Sequence, residues 1–377
     1  MRLRFTKLAE YAKIAYLLAV KGEFPLTREK IDYHIRGMPL KRRYNLFLSL
    51  LGDTLNLRRP VPFPPYFQVE VTNFCNLRCP ACPAAIKRYH RKPRCLKLDV
   101  FKKFIDQAGD YLVYLSMWGI GEPLMHPDFC SMVEYAHKKG VLVVTSTNGH
   151  YLTPELSERL VKSGIDTVVI SVDGATQEIY EKYRVGGNLE QVKAGIRNLV
   201  AAKSRLKSKT PLVNMRFIVM SHNENQLNDI KALAADLKAD VFSLRSFGPI
   251  FIDDSGIEHE FIPSEKRLRR YKYENGKRVN RRDFVCRLGW SGGFFVADSK
   301  IALCEADFMT RQALGNLELE DFKDIWFGRK ADDLREKLHT DMDSIAFCKN
   351  CVFRSSQLEG YDLVNIGCEG FGLKEVC

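Results

Sequence analysis

Short, almost continuously apolar runs alternate along this chain with longer stretches whose apolar positions recur every three or four residues. The short runs, at 67–72, 111–117, 141–146, 167–171, 213–219 and 240–244, predict strands. Between them, 100–108, 129–139, 155–163, 189–207 and 226–237 predict helices. Strands that are apolar on both faces belong to a parallel sheet covered by helices, because crossover connections bury both sides. Six β/α units therefore predict either an open doubly wound sheet or an incomplete (β/α)6 barrel. Both architectures place their chemistry at the carboxyl ends of the strands.

Polar and glycine-rich residues collect at those ends. The first strand runs into Cys75-Asn76-Leu77-Arg78-Cys79-Pro80-Ala81-Cys82 and the second into Trp118-Gly119-Ile120-Gly121-Glu122-Pro123. The third ends in Ser146-Thr147-Asn148-Gly149 and the fourth in Ser171-Val172-Asp173-Gly174. One such turn would be punctuation, but four at equivalent positions describe a site. With 11 cysteines in 377 residues, a CxxxCxxC spacing arises by chance about once in a hundred such chains. Three thiolates on a four-iron cubane leave one iron without a protein ligand, and an open iron can hold a small molecule and react with it. A zinc site or unpaired buried thiols would use the same residues.

The first 60 residues carry 13 Lys/Arg against 5 Asp/Glu, most of the chain's net charge of +12. Phe5, Leu8, Ala12, Ala15 and Leu18 recur at helical spacing, so a helical extension is expected, without the strand pattern of a peptide-binding domain. Such an extension either covers the barrel or docks an anionic partner: an acidic substrate, a membrane surface with a lipid-linked substrate, a carrier or a peptide. Nucleic acid is disfavoured, since no basic motif is interleaved with aromatics. A proline-rich joint, Arg59-Pro60-Val61-Pro62-Phe63-Pro64-Pro65, closes the extension. No segment approaches the roughly 18 apolar residues of a membrane span, and no cleavable export signal is evident. Metal-type cysteine spacings then point to a reducing cytoplasm, with membrane contact limited to the periphery.

A second cysteine set lies further on, at Cys286, Cys304 and the pair Cys348-Lys349-Asn350-Cys351. Four thiolates complete one closed cluster, or alternatively one structural zinc site. Between the first two, residues 290–304 read as a β-hairpin turning at Asp298-Ser299. The expected division is 1–65 for the extension, 66–250 for the barrel, 251–283 for a linker and 284–377 for the small cysteine domain.

Across 67–244 these motifs resemble the radical S-adenosylmethionine superfamily, and the C-terminal third resembles the SPASM/twitch auxiliary-cluster domain. The resemblance implies an α/β fold, a partial (β/α)6 TIM-like barrel. It implies a 4Fe-4S cluster on Cys75, Cys79 and Cys82, whose fourth iron is chelated by S-adenosylmethionine. Reduction of that cluster, by a donor such as flavodoxin or ferredoxin, cleaves the sulfonium to a 5′-deoxyadenosyl radical that takes a hydrogen atom from substrate. Cofactor contacts are then expected from Gly119, Ile120, Gly121 and Glu122, from Asn148 and Ser171, from Val219 beside the adenine, and from Arg184. A planar guanidinium suits the cofactor carboxylate. Each has a plainer reading: turn chemistry for Asn148 and Ser171, a helix cap for Arg184, a structural hydrogen bond for Glu122, a turn for Asp173.

A full SPASM domain continues its CxxC with CxxxxxCxxxC, which this chain lacks. One auxiliary 4Fe-4S cluster on Cys286, Cys304, Cys348 and Cys351 is therefore expected, with Cys368 and Cys377 left over, either as surplus thiols or with Cys368 replacing one of the four ligands. An auxiliary cluster accepting an electron favours oxidation or rearrangement of a small molecule such as a sugar, an aminocyclitol or a lipid-linked intermediate. The rivals are modification of a ribosomally made peptide and, in another class, iron–sulfur electron transfer. A proton acceptor is needed for oxidation, and Glu305 and Asp307 are its candidates, ahead of His126 and His90.

Overall fold

A computed structural model describes residues 13–28, 31–55, 62–86, 89, 91–249, 256–275, 277–281, 284–349, 351–356 and 369–370. Its N-terminal region differs from the all-helical expectation. After a helical turn at Leu17–Lys21 come two antiparallel strands, β1 (Phe24–Arg28) and β2 (Ile31–Ile35), and then helix α1 (Leu40–Leu55). Alternation is strict here, with Phe24, Leu26, Ile31 and Tyr33 buried and their neighbours exposed. Five-residue strands are too short for their period of two to stand out in a charged stretch.

Six parallel strands follow: β3 (Tyr66–Val69), β4 (Tyr114–Ser116), β5 (Leu142–Thr147), β6 (Thr167–Ser171), β7 (Leu212–Val219) and β8 (Val241–Ser246). The crossover helices are α2 (Leu98–Ala108), α3 (Phe129–Lys138), α4 (Pro154–Lys162), α5 (Gln177–Tyr183), α6 (Leu189–Arg205) and α7 (Leu227–Asp236). Their starts are encoded locally. Thr153 Oγ1 accepts from Leu156 N with Pro154 at the first helical position, and Asn188 Oδ1 accepts from Gln191 N at 3.0 Å. Each such cap contributes about 1 kcal/mol. Phe101, Phe104, Met132, Val133 and Ile196 pack the outer face of the sheet against Leu115, Val143 and Val168.

The C-terminal region adds a two-residue hairpin, β9 (Tyr273–Glu274) and β10 (Lys277–Arg278), then β11 (Gly292–Phe295), β12 (Lys300–Ala302) and β13 (Gly315–Asn316). Strand β11 pairs in parallel with β3, Gly292 opposite Tyr66 through Phe295 opposite Val69. A last strand, β14 (Glu369–Gly370), pairs antiparallel with β8. The sheet therefore runs β13-β12-β11-β3-β4-β5-β6-β7-β8-β14 and does not close, an incomplete barrel prolonged by the cysteine-bearing hairpin. The β1–β2 hairpin plugs the amino end of this barrel. Its buried residues meet Tyr114, Val144, Val169 and Val241, and Tyr33 Oη lies 2.8 Å from Thr167 Oγ1. The cysteine loop lies at the other end.

Candidate functional site

Strand β3 delivers the cysteine loop to the carboxyl end of the sheet. Cys82 N–H donates to Cys79 O at 2.9 Å and Leu77 N–H to Cys75 Sγ at 3.4 Å, so the loop folds back around its own thiols. Burial pushes the Cys75 thiol up to about 11 and the Cys82 thiol up to about 12, and raises Cys79 although Arg184 opposes this. Thiolates in such surroundings need added positive charge, which an iron cluster supplies.

The GxGE segment is the floor of this loop. A Cβ on Gly121 would stand 2.2 Å from Thr72 O and 2.7 Å from Phe74 O, and one on Gly119 would stand 2.6 Å from the Glu70 side chain. Only glycine permits that approach. Glu122 N–H donates to Phe74 O at 2.9 Å. The Glu122 carboxylate is buried and fully used, accepting from Leu124 N, Thr147 Oγ1 and Asn148 N at 3.1, 2.6 and 2.8 Å. This is the structural reading of Glu122: it clamps the end of β5 beneath the cysteines. Ile120 turns toward Phe294, Val296 and Phe308 of the C-terminal region, and its carbonyl faces Cys82 Sγ.

Asn148 and Arg184 reach the cysteines directly. Asn148 Nδ2 donates to Asn76 Oδ1 at 2.8 Å and lies 3.6 Å from Cys75 Sγ. Arg184 caps the end of α5 yet is largely buried. Its Nε donates to Asp173 Oδ2 at 2.6 Å and its Nη1 lies 3.8 Å from Cys79 Sγ. Asp173, 0% exposed, accepts from Ile218 N through its other oxygen, so the guanidinium is held on a fixed anchor. Ser171 closes β6 on the interior face, buried at 8% exposure, opposite Arg216 of β7. Strand alternation turns the Val219 side chain into the helix-side core, whereas Ile218 packs on the hydrophobic cluster that includes the cysteine loop.

Two participants escaped the sequence reading. His150 Nε2 accepts from Asn188 N at 2.9 Å, leaving Nδ1 to donate to Asn148 Oδ1 at 3.0 Å and so orient that amide. Its signal was a histidine directly after Asn148-Gly149. Glu70, a lone acid in an apolar strand, is 0% exposed and accepts from Arg91 Nη2 at 2.6 Å, Ile120 N at 3.3 Å and Ala297 N at 3.3 Å. One buried carboxylate thus ties the segment after the cysteine loop, the GxGE floor and the C-terminal hairpin together.

The second cysteine set converges from three places in the chain. Cys286, Cys304, Cys348 and Cys351 line one cavity with Leu303 and Phe347. Burial raises all four thiols, Cys348 to about 12. Four thiols in an apolar wall fit a closed cluster, while no three His, Cys, Asp or Glu side chains among the described residues converge at single-ion spacing. Glu305 is half-buried and its charge bears on Cys304 and Cys351. Asp307 is not free for proton transfer, because its two oxygens accept from Arg311 N and Gln312 N at 2.9 Å each, closing its own turn. His126 is likewise structural, lying 2.8 Å from Leu96 O and accepting from Asp128 N. His90, Cys368 and Cys377 lie outside the described residues. Where the segments flanking the cysteine loop meet the C-terminal hairpin, Asn73, Arg91, Lys92, Arg94, Asp298 and Lys300 line a polar cavity of about 400 Å³.

Residues 69–234 match the radical SAM superfamily, and residues 286–352 match the SPASM iron–sulfur cluster-binding domain. Over 165 residues the chain is 36% identical to the mycofactocin maturase MftC of Mycobacterium ulcerans, 44% of this chain and 42% of that protein. It is 29% identical to a tungsten-containing aldehyde ferredoxin oxidoreductase cofactor-modifying protein of Pyrococcus furiosus, over 49% of this chain and 52% of that protein. Identity to the PqqA peptide cyclase of Ruegeria pomeroyi is also 29%, over 48% and 46%. The chain thus spans about half the length, or less, of these relatives. Among solved structures, Streptococcus suis SuiB bound to precursor peptide SuiA superposes with a TM-score of 0.58 at 15% identity, covering 98% of this chain and 85% of that one. At that identity the likeness concerns the fold.

Proposed function

We propose that this chain, which carries a radical S-adenosylmethionine domain followed by a SPASM domain, modifies a peptide by radical chemistry. Its cofactors are S-adenosylmethionine, the 4Fe-4S cluster that binds it, and an auxiliary cluster. When bound, they supply the 5′-deoxyadenosyl radical that abstracts hydrogen and an acceptor for the electron left on the substrate. Cys75, Cys79 and Cys82 hold the first cluster in this reading, and Cys286, Cys304, Cys348 and Cys351 the second. Arg184, fixed by Asp173, meets the cofactor carboxylate, while Asn148 and Ser171 meet its polar edge. The floor at Gly119, Ile120, Gly121 and Glu122 presents backbone groups and excludes water. Glu305 is the proton acceptor of the second half of the reaction, and Asp307 is withdrawn from that role.

The observation that carries a peptide substrate is the cavity where the segments flanking the cysteine loop meet the C-terminal hairpin, on an open sheet. Lys92 and Arg94 stand there beside Arg91, which Glu70 holds, and Lys300, which pairs with Asp298, and the Asn73 and Asn316 amides add hydrogen-bonding groups. Such a lining suits a chain segment that offers carboxylates as well as amides. The peptide-acting relative and the mycofactocin maturase support this reading over the small-molecule oxidation expected from the sequence. The cofactor-modifying relative keeps a small, non-peptide substrate as the competing case.

Deuterium transfer decides between them. Reconstituted protein, S-adenosylmethionine and dithionite are supplied with deuterated candidate peptides encoded beside its gene, or with deuterated small metabolites. Label in 5′-deoxyadenosine from a peptide, with a mass change in that peptide, is the expected result. Label arising only from a small molecule would replace this reading.

A further inference from the structure

Helix α1 buries one face and, among the described residues, leaves an apolar face uncovered. On the inner face Leu46 is fully buried, Asn45 exchanges hydrogen bonds with the backbone of Phe63 at 2.9 and 3.0 Å, and Arg42 donates to Gly109 O, Lys139 O and Gly140 O. Those carbonyls precede β4 and β5, so α1 lies across the amino end of the barrel, opposite the cysteines. On its outer face stand Leu40, Tyr44, Phe47, Leu51 and Leu55, at 73%, 66%, 38%, 38% and 59% exposure. Spacings of four, three, four and four residues place them in one stripe, about 100° wide. The adjoining helical segment adds Tyr16 at 52% and Val20 at 65%, and Arg43 joins the two by donating to Leu18 O at 3.1 Å. Seven of the eleven large apolar residues exposed among the described residues therefore fall between 16 and 55. Lys13, Lys21, Arg36 and Lys41 of the same segment are exposed, Arg36 paired with Glu23 and Lys41 with Asp110, and the first 60 residues carry 13 Lys/Arg against 5 Asp/Glu.

We propose that this stripe and its basic surround form a docking surface for an anionic lipid bilayer, which α1 enters sideways. Three occupants could cover it, and charge and shape separate them. A second copy would set two strongly basic surfaces face to face. A peptide or protein helix asks for a groove, whereas Leu40, Tyr44 and Leu55, 59–73% exposed, stand out as a ridge. A bilayer interface accepts an apolar ridge along its plane, and its acidic headgroups pair with flanking Lys and Arg. Docked this way, the barrel turns its reactive end to the solution, away from the lipid. The inference does not depend on the substrate proposed above.

Vesicle flotation of the reconstituted full chain tests it, with phosphatidylcholine vesicles that contain or lack phosphatidylglycerol. The protein is expected to float with the anionic vesicles only, and to lose most of that binding when salt rises from about 0.1 to about 0.5 M. Phe47→Ser with Leu51→Ser should weaken partition about tenfold or more. Leu319→Ser, at an isolated leucine 82% exposed in the C-terminal region, should leave it unchanged. Melting curves and uncoupled 5′-deoxyadenosine formation equal to the parent establish that the double variant is folded. Failure to float with either vesicle overturns the proposal, as does equal flotation of the double variant. So does a dimer that the double variant turns into a monomer, which would hand the surface to a second copy.

Discussion

The two cysteine sets differ in almost every physical respect. Cys75, Cys79 and Cys82 come from one eight-residue loop and are ringed by polar groups anchored elsewhere: Asn148 on Asn76 and His150, Arg184 on Asp173. Cys286, Cys304, Cys348 and Cys351 come from positions up to 65 residues apart and share a cavity with Leu303 and Phe347. The first arrangement brings Arg184 and Asn148 to the thiols, and the second surrounds them with an apolar wall beside the Glu305 charge. The two are joined by the β3–β11 pairing and by Glu70.

The sharpest way to break this contrast is to remove one set at a time. Cys75→Ala should abolish 5′-deoxyadenosine formation, measured by chromatography. Cys348→Ala should remove about four irons, keep uncoupled cofactor cleavage within about twofold, and stop modified product. Gly121→Ala comes next, since its Cβ has no place beside Thr72 O and Phe74 O. A loss of about 3 kcal/mol in denaturant unfolding is expected, with iron lost from the first site before the second. Arg184→Ala should weaken S-adenosylmethionine about ten- to a hundredfold by equilibrium binding, while the auxiliary site keeps its iron.

The smallest effect belongs to neither site. Burial raises Asp166, from an ordinary 3.8 to about 6, although it accepts from Val143 N at 2.7 Å. The folded state therefore holds that proton more tightly than the unfolded chain does. Its contribution to stability is complete below about pH 4 and fades as pH rises through about 6, by a total on the order of 2 kcal/mol. Asp166→Asn should flatten that part of the stability–pH curve, read by thermal melts.

Much of this was legible in the chain. Apolar runs placed the six parallel strands to within a few residues, because burial on both faces removes the polar interruptions that blur boundaries. The cysteine loop and the three other strand ends were legible because each is short and local. What escaped was decided by tertiary context. Helix α5 is only seven residues long. The side of β7 that packs toward the cysteine loop turned on one residue of register, so Ile218 was passed over for Val219. Asp307 read as a base because its two backbone partners, four and five residues on, are set by a turn that no spacing announces.

The central claim is two clusters, of which one is open to the cofactor. Anaerobic reconstitution with an iron count, followed by electron paramagnetic resonance of the reduced protein with and without S-adenosylmethionine, tests it directly. About eight irons per chain, with one of two cluster signals shifted by the cofactor, is the predicted result. About four irons, or signals that the cofactor leaves untouched, would contradict it.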